Sequence, residues 1–229
     1  MIIGDGLIAN SFSNYKDIKE ICIFASGVSN SKETSKINFL REESLLLKSI
    51  LESNAKVFVY FGTCSVYDKM SVDSKYVKHK LRMEKLVEDN CINYYIFRLS
   101  QVVGISKNST LVNYLYDSII NDKHMYINKY STRNLIYIGD VLNIVSYIIK
   151  NKIYLNEVIN IASVHNILVS DVIKCIEKIL QKKAKYSTLE IGSSLEIDIA
   201  KIVNIEASKN ILKKNYVMSI LNKYHLARK

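Results

Sequence analysis

Three side chains able to take part in proton transfer lie in the stretch FGTCSVYDKMSVDSKYVKHK, residues 61–80. Tyr76 and Lys80 are four residues apart, so on a helix they share one face. An ammonium beside a phenol favours the phenolate, and such a tyrosine can give or take the proton of a carbonyl/alcohol pair. Thr63, thirteen residues before the tyrosine, offers a hydroxyl to hold the reacting oxygen. The stretch therefore predicts a proton-transfer site.

The Tyr-x-x-x-Lys spacing is a weak signal in this chain. The sequence has 16 tyrosines, and Tyr15 and Lys19 repeat the spacing with no strand-borne hydroxyl before them. Judged by spacing alone, Tyr76 and Lys80 are more simply interpreted as a solvated helix face. Their context favours chemistry, because an apolar strand ending at Phe61 leads to a hydroxyl residue, a loop and then the helix.

A glycine turn opens the chain, where GDGLIA supplies Gly4, Gly6 and Ala9 in the pattern GxGxxA. The first glycine permits a sharp turn, the second lets a pyrophosphate approach the backbone, and the small third residue allows close helix packing. The context of a strand before and a helix after indicates dinucleotide binding, with an ordinary strand–helix turn as the alternative. An acidic residue usually follows about 20 residues later to hold the ribose. Here Ser26 and Gly27 stand at that distance.

Apolar runs and helical periods alternate along the chain. The sequence predicts strands at 21–26, 56–61, 93–98, 134–138 and 157–161, and helices at 35–53, 76–89, 109–121, 139–150 and 167–181. Strands that alternate with helices through short connections are typical of a parallel sheet with helices on both faces. We therefore expect an α/β protein in which no linker separates the two halves of the chain.

Composition narrows the classes of partner. The chain has 229 residues, 48% of them hydrophobic, and a formal net charge of +10. Its lysines are scattered, so we expect no nucleic-acid partner. The longest apolar stretch, 135–149, is interrupted by Asp140 and Asn143, so we expect no membrane partner. Four cysteines without CxxC spacing predict no metal site, and a reducing cytoplasm is the expected compartment.

Taken in order, several segments resemble the extended short-chain dehydrogenase/reductase family, especially its nucleotide-sugar epimerases, dehydratases and 4-ketoreductases. GDGLIA resembles the family's glycine turn, and VFVYFGTCSVYD is similar to its strand ending in a Ser/Thr pair and then VYG. YVKHK supplies the tyrosine and lysine, YYIFRLSQVVG resembles RxxNVYG, and TRNLIYIGDV resembles RDFIYVDDV. CIFASGVSNS and NEVINIAS resemble two further strands, so the resemblance extends over about 160 residues.

The resemblance implies a role for individual residues. Thr63, Tyr76 and Lys80 stand at the catalytic positions, and Lys80 also at the position that holds the ribose of NAD or NADP. The implied cofactor contacts are Gly4, Gly6, Leu7, Ile8, Ala9, Ala25, Ser26, Lys80 and Leu99. The implied contacts to a nucleotide-sugar substrate are Cys64, Ser65, Gln101 and Arg133.

The chain also departs from the family pattern. Only about a dozen residues separate Ala9 from the strand at 21–26, so we infer that the second and third strands of the usual sheet are missing. The acidic residue that would hold the adenosine ribose is lost with these strands. The chain therefore carries no residue that indicates a preference for NAD or for NADP. Gly62 replaces the first hydroxyl of the Ser/Thr pair, and Asp68 replaces the glycine after VY.

The expected fold is a Rossmann-like, doubly wound parallel sheet that lacks its second and third strands and carries a small C-terminal substrate lobe. Residues 1–105 are expected to form the truncated nucleotide-binding region, and 106–229 an interwoven C-terminal part. Two functions stay open: an NAD(P)-dependent reductase or epimerase of a nucleotide-activated sugar in surface polysaccharide biosynthesis, and a non-catalytic sugar-nucleotide-binding or regulatory relative. Many members of the family that the chain resembles pair through two helices, so the resemblance implies a homodimer through residues 35–53 and 76–89.

Overall fold

The computed structural model describes residues 1–106 and 110–229. The strands are β1 (Ile2–Ile3), β2 (Ile21–Phe24), β3 (Val57–Thr63), β4 (Tyr94–Leu99), β5 (Gln101–Val103), β6 (His124–Asn128), β7 (Thr132–Tyr137), β8 (Glu157–Ile161), β9 (Asn166–Leu168) and β10 (Lys185–Leu189). The helices are α1 (Leu7–Ser11), α2 (Lys36–Glu52), α3 (Lys75–Asn90), α4 (Leu111–Ile120), α5 (Ile138–Asn151), α6 (Val169–Leu180), α7 (Ala200–Val203) and α8 (Tyr216–Arg228). No helix in these two ranges is long and apolar enough to cross a membrane.

The central sheet has five parallel strands in the order β1-β2-β3-β4-β8. The chain passes from β1 to β2 through only α1 and the 3-10 turn Ser13–Tyr15. Within the described residues no strand lies beyond β1, whose Ile2 and Ile3 pair with Ile23 and Phe24 of β2. The prediction of a Rossmann-like sheet without its second and third strands is therefore confirmed.

Helices cover both faces of this sheet, which explains the apolar run VFVYF in β3. Val59 and Phe61 point to a large core that includes α4, α5 and α6. Phe58 and Tyr60 point to the opposite face, where the core contains Leu46 of α2 together with side chains of α3. A parallel strand buried on both faces loses the alternation of polar and apolar residues. The doubly wound arrangement therefore follows directly from the sequence of β3.

The second half of the chain returns to the main sheet. β8 pairs with β4, while β5, β7 and β9 form a three-stranded sheet and β6 pairs with β10. All ten predicted strands and helices are present within two residues of their expected bounds, and only the predicted start of the helix at 109–121 lies outside the described residues. Strands β5, β6, β9 and β10 and helices α7 and α8 were not predicted. KYSTL of β10 and the weakly amphipathic α8 carry no clear apolar period.

Candidate active site

The predicted site residues lie at the carboxyl ends of the parallel strands. Gly4 follows β1, Ala25 follows β2, Thr63 ends β3 and Leu99 ends β4. Parallel strands present their carboxyl ends at one edge of the sheet, where open α/β sheets bind ligands. The fold therefore gathers residues that are up to 95 positions apart in the sequence into one crevice region.

The glycine turn has room for a phosphate at its second glycine. Gly4 has a φ of +125°, and a Cβ there would lie 2.6 Å from the carbonyl oxygen of Ala25, so this position requires glycine. A Cβ on Gly6 would meet nothing within 4 Å, and Gly6 precedes α1 without any side-chain cap. The open space over an uncapped helix start fits the pyrophosphate of a dinucleotide, as the GxGxxA pattern predicts.

Tyr76 presents a phenol that has no partner in the described chain. Helix α3 begins at Lys75 because Ser74 caps it by accepting a hydrogen bond from the backbone N–H of Val77. The ring of Tyr76 is 7% exposed and belongs to a small apolar cluster with Val28, after β2, and Val66, after β3. No described residue forms a hydrogen bond with its hydroxyl, which is therefore available to a ligand.

The second Tyr-x-x-x-Lys pair has a different structure. Tyr15 lies in a 3-10 turn and is packed against Phe12, with ring centroids 5.8 Å apart. Lys19 lies beyond that turn, in the loop before β2, so the two side chains do not share a helix face. The local structure thus separates the two pairs that the spacing alone could not.

Thr63 and Ser65 form a pair of hydroxyls at the end of β3. Thr63 Oγ1 accepts a hydrogen bond from the backbone N–H of Ser65 and donates one to Ser65 Oγ, both at 3.1 Å. The Ser65 hydroxyl keeps its own proton for donation, and either hydroxyl can rotate to donate to a ligand oxygen. The structure thus brings together one predicted catalytic residue and one predicted substrate contact.

Lys80 is held by a carboxylate that the sequence analysis did not single out. Its Nζ lies 3.0 Å from Oε1 of Glu42 and 4.6 Å from the ring centroid of Tyr60, and its side chain is 3% exposed. An ammonium has three N–H donors. Among the described residues only Glu42 accepts one of them, so two remain for a ligand. Lys80 therefore keeps two donors of the kind that a ribose diol accepts.

Glu42 is fully buried and accepts hydrogen bonds from several directions. The donors are the backbone N–H of Val28 at 2.7 Å, the Tyr60 hydroxyl at 2.9 Å, His79 Nε2 at 3.0 Å and Lys80 Nζ. Burial alone would raise the pKa of Glu42, but the charge of Lys80 and the hydrogen bonds from His79, Val28 and Lys80 hold it at about 2. The carboxyl is therefore ionised, and Nε2 of His79 must carry the shared proton.

The sequence of α2 contains a signal for Glu42. Glu42 stands four residues before Leu46 and seven before Ser49, and all three are buried on one face of α2. A charged residue on the apolar face of a helix is rarely buried without a partner. The partners, however, lie on other elements, and the helical period does not name them.

Residues 8–162, about two thirds of the chain, match the model of the NAD dependent epimerase/dehydratase family. The chain belongs to this family. The match begins after Gly4 and Gly6 and ends at Ala162, just after β8. Family membership confirms the predicted enzyme class and confirms NAD(P) as the cofactor of that class.

Solved structures of nucleotide-sugar enzymes share the fold. UDP-glucuronic acid 4-epimerase from Bacillus cereus, in complex with UDP-glucuronic acid and NAD, has a TM-score of 0.75 and 20% identity, covering 96% of this chain and 79% of that chain. UDP-glucose 4-epimerase from Thermus thermophilus, in complex with NAD, has a TM-score of 0.73 and 11% identity, with coverages of 96% and 82%. RMD from Pseudomonas aeruginosa, complexed with NADPH, has a TM-score of 0.72 and 13% identity, with coverages of 92% and 82%. No curated protein matches the chain.

Gly62, where the epimerase/dehydratase family usually has a hydroxyl, makes room for an ion pair. A Cβ at this position would collide with Oε1 of Glu84. Glu84 accepts hydrogen bonds from Arg98, with Nη2 to Oε2 at 2.6 Å and Nε to both oxygens at 3.1 Å. Arg98 also donates to the Tyr67 hydroxyl at 3.1 Å. Glycine at position 62, next to Thr63, therefore leaves space for a largely buried ion pair that links α3 to β4.

Cys64 does not present its thiol to the site, which corrects the expected side-chain contact to a substrate. The residue is 1% exposed, and Sγ donates to the backbone carbonyl of Arg98 at 3.2 Å. Burial raises the pKa of the thiol to about 12, with smaller opposing effects from Arg98 and Glu84. The side chain of the first residue of the 3-10 turn after Thr63 thus points inward.

Gln101 and Arg133 lie on neighbouring strands of the smaller sheet. Gln101 of β5 is paired with Leu135 of β7, two residues beyond Arg133, so the two polar side chains leave the same face. Oε1 of Gln101 is buried and has no partner among the described residues. Arg133 donates from Nη1 to the Thr132 carbonyl at 2.7 Å and leaves its remaining N–H groups without an acceptor in the described chain. Arg133 therefore has donors left for a ligand, and Gln101 keeps an unpaired amide oxygen beneath the same face.

Asp68, another departure from the family pattern, stabilises the loop after β3. Burial raises the pKa of its carboxyl, but hydrogen bonds from Ser193 Oγ, the Met70 N–H and Ser71 Oγ, together with the charge of Arg133, hold that pKa below its ordinary value. The bond from Ser193 is 2.8 Å long and joins this loop to the segment after β10. Asp68 thus links the loop after Thr63 to the C-terminal part of the chain by a hydrogen bond.

The ionised Glu42 makes a testable contribution to stability. Its folded-state pKa lies below the ordinary value of 4.5, so its contribution is present above pH 4.5 and is lost as the pH falls towards about 2. We expect the difference in unfolding free energy between wild type and Glu42→Gln to shrink by about 3 kcal/mol over that range. Urea denaturation at several pH values measures it. Glu43→Gln, on the same helix but partly exposed and paired with Arg82, is the matched control for loss of a carboxylate from α2. A constant difference for Glu42→Gln would contradict the assignment.

Proposed function

We propose that this family member is an NAD(P)-dependent 4-keto reductase or epimerase of a nucleotide-activated sugar. The observation that carries the proposal is the arrangement at the carboxyl edge of the sheet. There the phenol of Tyr76, which has no partner among the described residues, stands on the same helix face as Lys80, while the hydroxyl of Thr63 ends β3 and that of Ser65 follows in the next turn. We also propose surface polysaccharide biosynthesis as the setting, which rests on the family resemblance alone.

Each of these residues has a defined task in such a reaction. The bound NAD(P) supplies or accepts the hydride at the sugar carbon. Tyr76 Oη gives a proton to, or takes it from, the oxygen on that carbon. Ser65 and Thr63 donate hydrogen bonds that hold the same oxygen in place. The two free N–H groups of Lys80, on the same helix face as Tyr76, would hold the ribose of the cofactor.

The nucleotide part of the substrate would meet positive charge. Arg133 has N–H groups to spare and suits a phosphate, because a guanidinium donates two parallel hydrogen bonds. Gln101 on the neighbouring strand offers an amide to the sugar or the nucleotide. The formal net charge of +10 attracts an anionic substrate over a longer range.

A specific observation favours the second function, a non-catalytic sugar-nucleotide-binding or regulatory relative. The described sheet ends at β1, so the usual neighbours of an adenosine are missing, and Lys80 is 3% exposed under the loop after β2. Both features weaken cofactor binding. They leave Arg133 and Gln101 in place for a sugar nucleotide, so such a protein would bind that ligand without a dinucleotide.

Cofactor titration tests the proposed function. We expect NADH or NADPH to bind, measured by fluorescence or thermal shift with and without UDP-, GDP- and CDP-sugars. In Gly6→Ala the added methyl group occupies space that the pyrophosphate needs, so the affinity for NADH or NADPH should fall about tenfold or more. The free energy of unfolding should stay within about 0.5 kcal/mol of wild type. Absence of binding at millimolar concentrations would overturn the enzyme proposal, and binding of the sugar nucleotide alone would favour the second function.

We further propose a homodimer formed through α2 and α3. Helix α2 exposes Ile37, Leu40 and Leu51 to solvent by 77%, 50% and 83%, and Leu81 of α3 is 38% exposed. Exposed apolar side chains on a pair of adjacent helices favour association. Sedimentation of wild type and Leu51→Lys distinguishes this dimer from a monomer.

A further inference from the structure

The carboxylate of Glu42 forms hydrogen bonds with three different elements of the fold. Tyr60 belongs to β3, His79 and Lys80 belong to α3, and Val28 lies in the loop after β2. Each of these groups donates a hydrogen bond to the same carboxylate, which is 0% exposed. A carboxylate loses its hydration on burial, and this loss is tolerated only when donors replace the water. All parts of the network must therefore hold their positions together.

We propose that Glu42 is the positioning residue of this site: it fixes Lys80 for ligand binding and fastens the cofactor-side loop to α3. The inference rests on the proposed function, because it needs a dinucleotide that reaches Lys80. Glu42 does not itself touch the ligand in this role. It acts through the ammonium that it holds and through the loop that it anchors.

The geometry at Lys80 supports this role. A lysine side chain has a long flexible stem, and its free rotation costs affinity when a ligand must fix it. The contact to Glu42 and the stacking over the Tyr60 ring restrict Nζ to one place before any ligand arrives. Because the opposite charges of the pair offset each other, Lys80 acts mainly through its two directed N–H donors. Correct placement then matters more than charge alone.

The loop after β2 is fastened to the same carboxylate. Val28 donates its N–H to Oε2 of Glu42, and a Cβ on Gly27 would lie 2.8 Å from both Oε1 of Glu42 and Nζ of Lys80. Glycine at 27 therefore lets the loop pass directly over the ion pair. The two residues before it, Ala25 and Ser26, are predicted cofactor contacts. One carboxylate thus sets the relative position of that loop and of Lys80.

A comparison of NADH and ADP binding distinguishes the positioning of Lys80 by Glu42 from a general structural role of Glu42. NADH carries the nicotinamide ribose, whereas ADP shares only the adenosine and the pyrophosphate. We expect Glu42→Gln to weaken NADH binding about tenfold or more and to change ADP binding less than about twofold, measured by calorimetry on the full chain. Glu43→Gln is the matched control, because Glu43 follows directly on α2 and also pairs with α3, through Arg82, but at the surface. It should change neither affinity.

The outcomes distinguish this inference from the proposed function. If wild type binds neither NADH nor NADPH, the proposed function fails and the inference fails with it. If wild type binds NADH and Glu42→Gln binds it equally well, the inference is overturned while the function stands. If Glu42→Gln also loses ADP or does not fold, Lys80→Met and Lys80→Met/Glu42→Gln decide, because the double variant buries no unpaired carboxylate. No further loss of NADH affinity in the double variant supports positioning through Lys80. A further loss overturns the positioning of Lys80 and leaves Glu42 with the fastening of the loop alone.

Discussion

Replacement of Tyr76 by phenylalanine is expected to lower turnover about 10²- to 10⁴-fold while leaving the fold intact, because it removes the proton-transferring group and little else. The hydroxyl has no hydrogen-bond partner among the described residues, so its loss leaves no buried group unsatisfied. The ring keeps its packing against Val28 and Val66. With the UDP-, GDP- or CDP-sugar that the wild type uses, turnover is followed as NADH or NADPH absorbance for a reductase and by chromatographic separation of the two epimers for an epimerase, and the fold by circular dichroism.

The chain provides a matched control for that experiment. Tyr15→Phe removes a hydroxyl from the other Tyr-x-x-x-Lys pair, whose tyrosine is also buried at 7% exposure but lies in a 3-10 turn. We expect its turnover to stay within about twofold of wild type, because Tyr15 lies outside the crevice. A Tyr76→Phe protein with normal turnover would show that the proton comes from another group.

Gly62→Ala is expected to destabilise the protein by about 3 kcal/mol, although the family usually has a larger residue at this position. The added methyl would collide with Glu84 Oε1 and push the carboxylate away from Arg98, whose guanidinium would then lack its buried counter-charge. Urea denaturation at neutral pH measures the change in unfolding free energy.

Gly6→Ala is the comparison for this prediction, because the same methyl group enters open space there. Gly62→Ala should therefore lower the free energy of unfolding strongly, whereas Gly6→Ala should hardly change it. Equal stability of Gly62→Ala and wild type would show that Glu84 moves without cost, and that the ion pair with Arg98 does not require the glycine.

The elements of the site follow from local patterns in the sequence. The apolar run that ends at Phe61 and the helical period of 76–89 were enough to place Thr63 just beyond a strand and Tyr76 at a helix start. The short interval between Ala9 and β2 was enough to predict a shortened sheet. Such patterns succeed because strand and helix periods depend on neighbours within a few residues.

Contacts between distant elements were decided by the tertiary structure. The sequence by itself determined the order of strands and helices and the chemical types at the crevice, since these depend on local periods. Only the packing of α2 on α3 brings Glu42 to Lys80, 38 positions away, and only the approach of α3 to β4 explains Gly62. Ion pairs of this kind form between side chains whose neighbourhood is set by packing, which no local pattern encodes. The same packing turns the Cys64 thiol inward and leaves two N–H donors of Lys80 for a ligand.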